Sequence, residues 1–105
     1  MLAANIALSF GSAAILHAVA AGSRFGFDIM QATGLTSGTV YPALERLEVA
    51  GYLKSTWEDA VDAHAAGRPA RRYFTLTGAG ATALRAALAK YRALRPLPGF
   101  AAEEA

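Results

Sequence analysis

Ser37-Gly38-Thr39-Val40-Tyr41-Pro42-Ala43-Leu44-Glu45-Arg46-Leu47-Glu48 is the stretch on which the reading of this chain turns. Val40, Leu44 and Leu47 recur at intervals of four and three, so on a helix they form one apolar stripe, with Tyr41, Glu45 and Glu48 beside it. The helix predicted from this spacing runs to about Ala50 and is stopped by Gly51. Thr36 or Ser37 offers a hydroxyl to cap its free N–H groups. Pro42 falls inside the pattern. A helix beginning at Ser37 loses one backbone hydrogen bond there, and a slightly later start avoids the loss.

Upstream, a short helix is expected over about 26–33. Phe27, Met30 and Gln31 share faces at helical spacing, Ile29 lies beside them, and Gly34 ends it. Before it, residues 3–21 read as a first helix. Ile6, Phe10, Ala13, Ala14 and Ala20 recur at helical spacing, Ile15, Leu16 and Val19 widen the face, and Gly22 and Ser23 close it. That stripe is wider than one-sided packing in a small domain requires, so the helix is a candidate subunit contact, with Ile6 and Phe10 on it.

Downstream, two strands are expected. Residues 52–58 place Leu53 and Trp57 on one face, which reads Trp57 as a core residue under a hairpin. Residues 71–77 alternate with Phe74 and Leu76 inward. Residues 59–70 between them are poor in core formers and read as an exposed loop whose tip carries Arg68. A last helix is expected from Thr77 or Gly78 to about Leu94. Ala83, Leu84, Ala87, Leu88, Tyr91 and Leu94 form its apolar stripe, with Arg85, Lys90, Arg92 and Arg95 around it. Pro96 and Pro98 end it, and residues 100–105 read as a frayed tail.

Composition limits the alternatives. The 105 residues are enough for one core, and at 54% apolar and 17% charged they are too apolar for a disordered chain. The absence of cysteine excludes disulfides and thiolate zinc sites, and fits a cytoplasmic location. The apolar run from Ala13 to Ala21 is interrupted by His17 and is too short to span a membrane. The start lacks the basic opening of a secretory signal. His17 falls on an apolar helix, and His64 shares a loop with Asp59 and Asp62 without a metal-ligand pattern. The serines have no evident base, and Gly34 and Gly38 do not form a phosphate-binding loop. No catalytic residue, metal site or cofactor is expected, and an enzyme is not.

The order helix, helix, helix, hairpin, helix predicts a mainly α fold with a small β-hairpin: a winged helix-turn-helix over 1–77, followed by a helix and tail over 78–105. In such a fold the third helix enters the major groove of double-stranded DNA. Thr36, Ser37, Thr39 and Pro42 lie in or near its first turns, away from the buried stripe. Ser37, Thr39 and Tyr41 are candidates for phosphate or base-edge contacts, and Arg46 further along is a candidate for a phosphate. The face is short of long donors, which shifts the weight to phosphates, wing and DNA shape. The net charge of only +2 points weakly to nucleic acid, but Arg68, Arg71 and Arg72 cluster on the hairpin, with Lys54 nearby.

These blocks resemble the PadR-like winged-helix regulators. Gly38-Thr39-Val40-Tyr41-Pro42, then Leu44 and Arg46-Leu47-Glu48, is similar to the family's hallmark. Gly26-Phe27-Asp28-Ile29 resembles its opening of the second helix. Gly51-Tyr52-Leu53 and Trp57-Glu58 resemble its exit into the first wing strand. Gly67-Arg68-Pro69 and Arg71 to Thr77 resemble its wing tip and second strand. The resemblance covers about residues 12–80. It implies a homodimer on a near-palindromic operator, usually a repressor, with the last helix as dimerisation helix against the partner's first helix. Leu84, Leu88 and Tyr91 would then join Ile6 and Phe10 in the contact. It also implies a small aromatic effector. The rival reading is a winged-helix module that binds protein and not specific DNA.

Overall fold

The computed structural model describes residues 8–93. Five helices and one hairpin follow in the order α1 (Phe10–Ala20), α2 (Gly26–Thr33), α3 (Ser37–Val49), β1 (Leu53–Trp57), α4 (Ala60–Ala65), β2 (Arg72–Leu76) and α5 (Gly78–Arg92). The mainly α fold with a small hairpin and terminal helix is the one expected from sequence.

The first helix differs from the expectation for residues 3–21. Ser9 is its N-cap, with Oγ accepting from the Ser12 N–H at 3.1 Å, so the described helix opens at Phe10. Ile6 and the rest of residues 1–7 lie outside the described residues, as do Leu94, Arg95, Pro96, Pro98 and the tail. Ile15, Leu16 and Val19 of α1 meet Ile29 of α2, Val40, Ala43, Leu44 and Leu47 of α3, Leu53 and Phe74 of the hairpin, and Leu84 of α5 in one core. The apolar stripe on α3 is therefore the buried one its spacing predicts.

Gly34 ends α2 in the left-handed conformation (φ 75°), with its N–H on the Met30 carbonyl at 2.8 Å. Thr33 shapes the same turn: its hydroxyl donates to the Ile29 carbonyl and accepts from the Leu35 N–H. Three residues then lead into α3, completing a helix-turn-helix. Helix α3 does begin at Ser37, so Pro42 lies inside it and the later start is not taken. The reason is on the buried side. The Val40 N–H is held by the Thr36 carbonyl at 2.9 Å, and Val40 is fully buried. Unwinding the first turn would break that bond under a core side chain, which costs more than the one hydrogen bond that Pro42 lacks.

The hairpin is antiparallel, with Leu53 opposite Leu76, Ser55 opposite Phe74 and Trp57 opposite Arg72. Its inner edge is tied down where the Phe74 N–H meets the Arg24 carbonyl at 2.7 Å. Leu53 and Phe74 are buried, but Trp57 is 68% exposed and is not the core residue its alternation implied. Parity was read correctly and extent was not. Four residues of strand carry Trp57 about 13 Å beyond Leu53, where an open cleft and not packed side chains separates it from α2 and α3.

Residues 59–70, expected as an exposed loop, are mostly exposed but include a short helix. They hold α4, capped by Asp59, whose Oδ1 accepts from the Val61 and Asp62 N–H groups at 2.7 and 3.3 Å, with Ala63 buried beneath it. Gly67 (φ 77°) ends this turn of helix.

Candidate nucleic-acid interface

The candidate surface joins the N-terminal half of α3 to the wing. With Val40, Ala43, Leu44 and Leu47 facing the core, Thr36, Ser37, Thr39, Tyr41, Pro42 and Arg46 are each left exposed. Thr36 is the N-cap residue, but its hydroxyl makes no capping bond. The first-turn N–H groups therefore lack the usual side-chain acceptor and, with the helix dipole, favour an anion.

Tyr41 is held by its neighbour. Its ring lies directly over Gly26 at the start of α2, so closely that a methyl group there would come within 2.3 Å of the hydroxyl. Gly26 is thus the close-approach point between the two helices, and Tyr41 stays 49% exposed above it. An open cleft of about 590 Å³ follows, between α3 and the wing. Phe25, Phe27, Tyr41 and Trp57 supply its aromatic walls, and Arg71 and Arg72 supply charge.

Sequence grouped the wing arginines together, but the structure gives each different partners. Arg68 folds back on Glu58 as a bidentate fork, at 2.6 and 2.8 Å. The Arg71 N–H also donates to Glu58, at 3.2 Å. The Arg68 hydrogen bonds, against the opposing pull of desolvation, bring the Glu58 carboxyl down to about 2. Arg72 spans the gap to α3. Its Nε donates to Ser55 Oγ at 3.0 Å, Nη1 to Glu45 at 2.9 Å and Nη2 to Glu48. Ser55 Oγ in turn donates to the other Glu48 oxygen at 2.7 Å, which closes a ring of bonds. Hydrogen bonding to Glu45 and then the Glu48 charge raise the Arg72 pKa further. The Arg71 guanidinium instead stacks on Phe25, 4.0 Å from the ring centroid, and makes no ion pair among the described residues. Lys54 is exposed on β1 opposite Thr75, on the outer side of the hairpin.

Sequence reasoning missed Glu45, Glu48, Ser55 and Glu58 as partners of these arginines. One signal was available: two glutamates three residues apart flank the buried stripe of α3, and such a pair attracts a cation.

The candidate subunit contact lies on another face. Phe10 is 69% exposed, and Tyr91 meets its ring edge-on at 5.3 Å. The Tyr91 hydroxyl donates to the Leu8 carbonyl at 3.0 Å. Leu88 is half-buried, whereas Leu84 is buried in the chain's own core. Phe10, Ala14, His17, Leu88 and Tyr91 line an open groove of about 540 Å³. Among the described residues, no group of His, Asp or Glu is placed to hold a metal ion, and no helix is long and apolar enough to cross a membrane.

Comparison with known proteins agrees with this arrangement. The family described as "Transcriptional regulator PadR-like family" matches residues 15–86. A PadR-like transcription factor from Bacteroides fragilis is 26% identical, covering 80% of this chain and 82% of its own, with a TM-score of 0.67. The smu.1704 protein of Streptococcus mutans UA159 is 25% identical over 87% of this chain and 86% of its own, with a TM-score of 0.70. A PadR family regulator from Clostridium difficile R20291, 22% identical over 83% of this chain and 92% of its own, shares the fold at a TM-score of 0.71. No curated protein matches the chain. With a winged helix-turn-helix and a family match over residues 15–86, the chain belongs to the PadR-like family of transcriptional regulators, in the short form, with one helix after the wing among the described residues.

Proposed function

We propose that the chain acts as a homodimer that binds a near-palindromic operator in double-stranded DNA and represses transcription. The observation that carries this reading is the two-sidedness of α3. Its apolar stripe is in the core, while Thr36, Ser37, Thr39, Tyr41, Pro42 and Arg46 are exposed, with Tyr41 lining the cleft beside the wing. A helix presented in this way fits a major groove, with its N-terminus toward the phosphates. Arg71, which makes no ion pair among the described residues, adds positive charge in the cleft beside α3.

Dimerisation through α1 and α5 is supported by Phe10, Leu88 and Tyr91, which leave an apolar groove on the face opposite the core. Two-fold symmetry in the protein would then be mirrored in the operator. A small aromatic effector binding at the dimer centre, on the same groove, would shift the spacing of the two recognition helices and release DNA. The protein is read as acting in the cytoplasm.

The test is fluorescence anisotropy with duplex DNA from immediately upstream of the gene, at two salt concentrations, with a scrambled duplex as competitor. Salt-dependent binding that survives the competitor is expected. Equal displacement by the scrambled duplex on every upstream fragment would refute sequence-specific binding and favour a protein-binding module.

A further inference from the structure

We propose that the wing arginines divide the work: Arg72 is a positioning residue that clamps the wing to the recognition helix, and Arg71 is the wing's contact with a DNA phosphate. The proposal rests on the DNA-binding reading above and deepens it.

Arg72 stands opposite Trp57 at the outer end of the hairpin, where the strands have left the cover of the core. Each of its three guanidinium nitrogens is engaged by a different side chain, two on α3 and one on β1. Glu48 and Ser55 are bonded to each other as well, so the helix and both strands close into one ring. The guanidinium also lies over the Phe74 ring, 5.2 Å from its centroid. To reach a phosphate, Arg72 would have to leave Glu45 and Glu48 as two unpaired carboxylates on the recognition helix, facing the same polyanion. It would give up a fork of three directed bonds for one new contact. Its fixed place instead sets the distance between α3 and the wing.

Arg71 is in the opposite situation. It precedes β2, lines the cleft between wing and α3, and rests its planar face on Phe25. Stacking leaves the N–H edges of a guanidinium available for an anion. Arg68 is withdrawn from this role by its fork on Glu58.

Lysine and glutamine substitutions separate the roles, because lysine keeps the charge and cannot make the fork. Arg72→Lys, Glu48→Gln, Arg71→Lys and Arg71→Ala would be compared with the unaltered protein. Operator affinity would be measured across a salt series, and hydrogen exchange of the β1 and β2 amides in the absence of DNA. Arg72→Lys and Glu48→Gln are expected to speed strand exchange alike and to lower affinity about tenfold, with the salt slope unchanged. Arg71→Ala should reduce the slope by about one unit, Arg71→Lys should keep it, and neither should change strand exchange. Glu48→Gln removes a negative charge, so a role for Arg72 as a simple phosphate contact predicts unchanged or tighter binding in that variant. That result, or unchanged strand exchange in both clamp variants, overturns the clamp. An unchanged slope in Arg71→Ala overturns the phosphate assignment. If the unaltered protein binds no DNA, the reading beneath fails and Arg71's role with it, while strand exchange still decides whether Arg72 is the clamp.

Discussion

Replacing Gly80 with alanine should unseat α5 from the winged domain. Gly80 is buried in the first turn of α5, against the turn that leads into β1. A Cβ there would lie 2.1 Å from the Tyr52 carbonyl oxygen and 3.0 Å from Leu76 Cδ1. Ordinary contact needs about 3.5 Å, so the two segments must part by more than an ångström. Neither yields easily. The Tyr52 carbonyl accepts the Thr77 N–H at 3.1 Å, and the Thr77 hydroxyl donates to the Gly51 carbonyl at 2.6 Å while capping the Gly80 N–H at 2.9 Å. Overpacking of this kind costs about 1–3 kcal/mol, and loss of the cap about 1 kcal/mol more. Alanine's better helix propensity returns about 1 kcal/mol. A net loss of about 1–3 kcal/mol lowers the melting temperature by roughly 5–20 °C in a domain of this size. The assay is thermal unfolding followed by circular dichroism at one fixed protein concentration, since dimer stability depends on it. Gly78→Ala is the control: it lies in the same turn with nothing within 4 Å of an added Cβ, and should melt at or slightly above the parent. If Gly80→Ala melted within about 2 °C of the Gly78→Ala protein, the docking of α5 described here would be wrong.

Three further outcomes are expected. Gly26→Ala should push the Tyr41 ring aside with little effect on melting, because a side-chain end can move. Loss of that contact should weaken operator binding by about 1–3 kcal/mol, read by anisotropy; unchanged affinity would remove Tyr41 from the interface. Glu58 stands at about 2, below its ordinary 4.5. A depressed carboxyl contributes its full stability above 4.5 and loses it as pH falls toward 2. Fluorescence of Trp57, the sole tryptophan, should therefore report wing loosening only in that acid range, and Glu58→Gln should lack the transition. Phe10→Ala should weaken self-association by about 1.5–3 kcal/mol for each of two symmetric copies, at least a hundredfold in dissociation constant by analytical ultracentrifugation. A dimer that persists unchanged would place the contact elsewhere.

Periodicity located the elements because it reports which face is buried, and burial dominates in a small core. The stripe of Val40, Leu44 and Leu47, the Gly34 turn and the Thr77 start of α5 were all legible in this way. Trp57 was misplaced because alternation gives the face of a strand and not where its cover ends. Helix α4 was missed although Asp59 and Gly67 bracket it as a cap and a stop. Its three alanines in six residues give no amphipathic pattern for those caps to bound.

The arginines show a deeper limit of sequence reading. Arg68, Arg71 and Arg72 form one cluster in the chain, and a cluster invites a single role. Role depends on which carboxylates lie within about 4 Å, and those belong to residues far away in sequence: Glu45 and Glu48 on α3, and Glu58 across the hairpin. A strand turns successive side chains to opposite faces, so Arg72 faces the helix that carries the two glutamates, while Arg71 before it stacks on Phe25. Charge counted along the chain therefore overstates what the wing offers to DNA. Two of its three guanidinium charges are already neutralised within the protein. A salt slope well below that of a wing with three phosphate contacts follows, by about 0.9 for each arginine withdrawn. A slope that required all three arginines would mean that DNA breaks both internal ion pairs on binding.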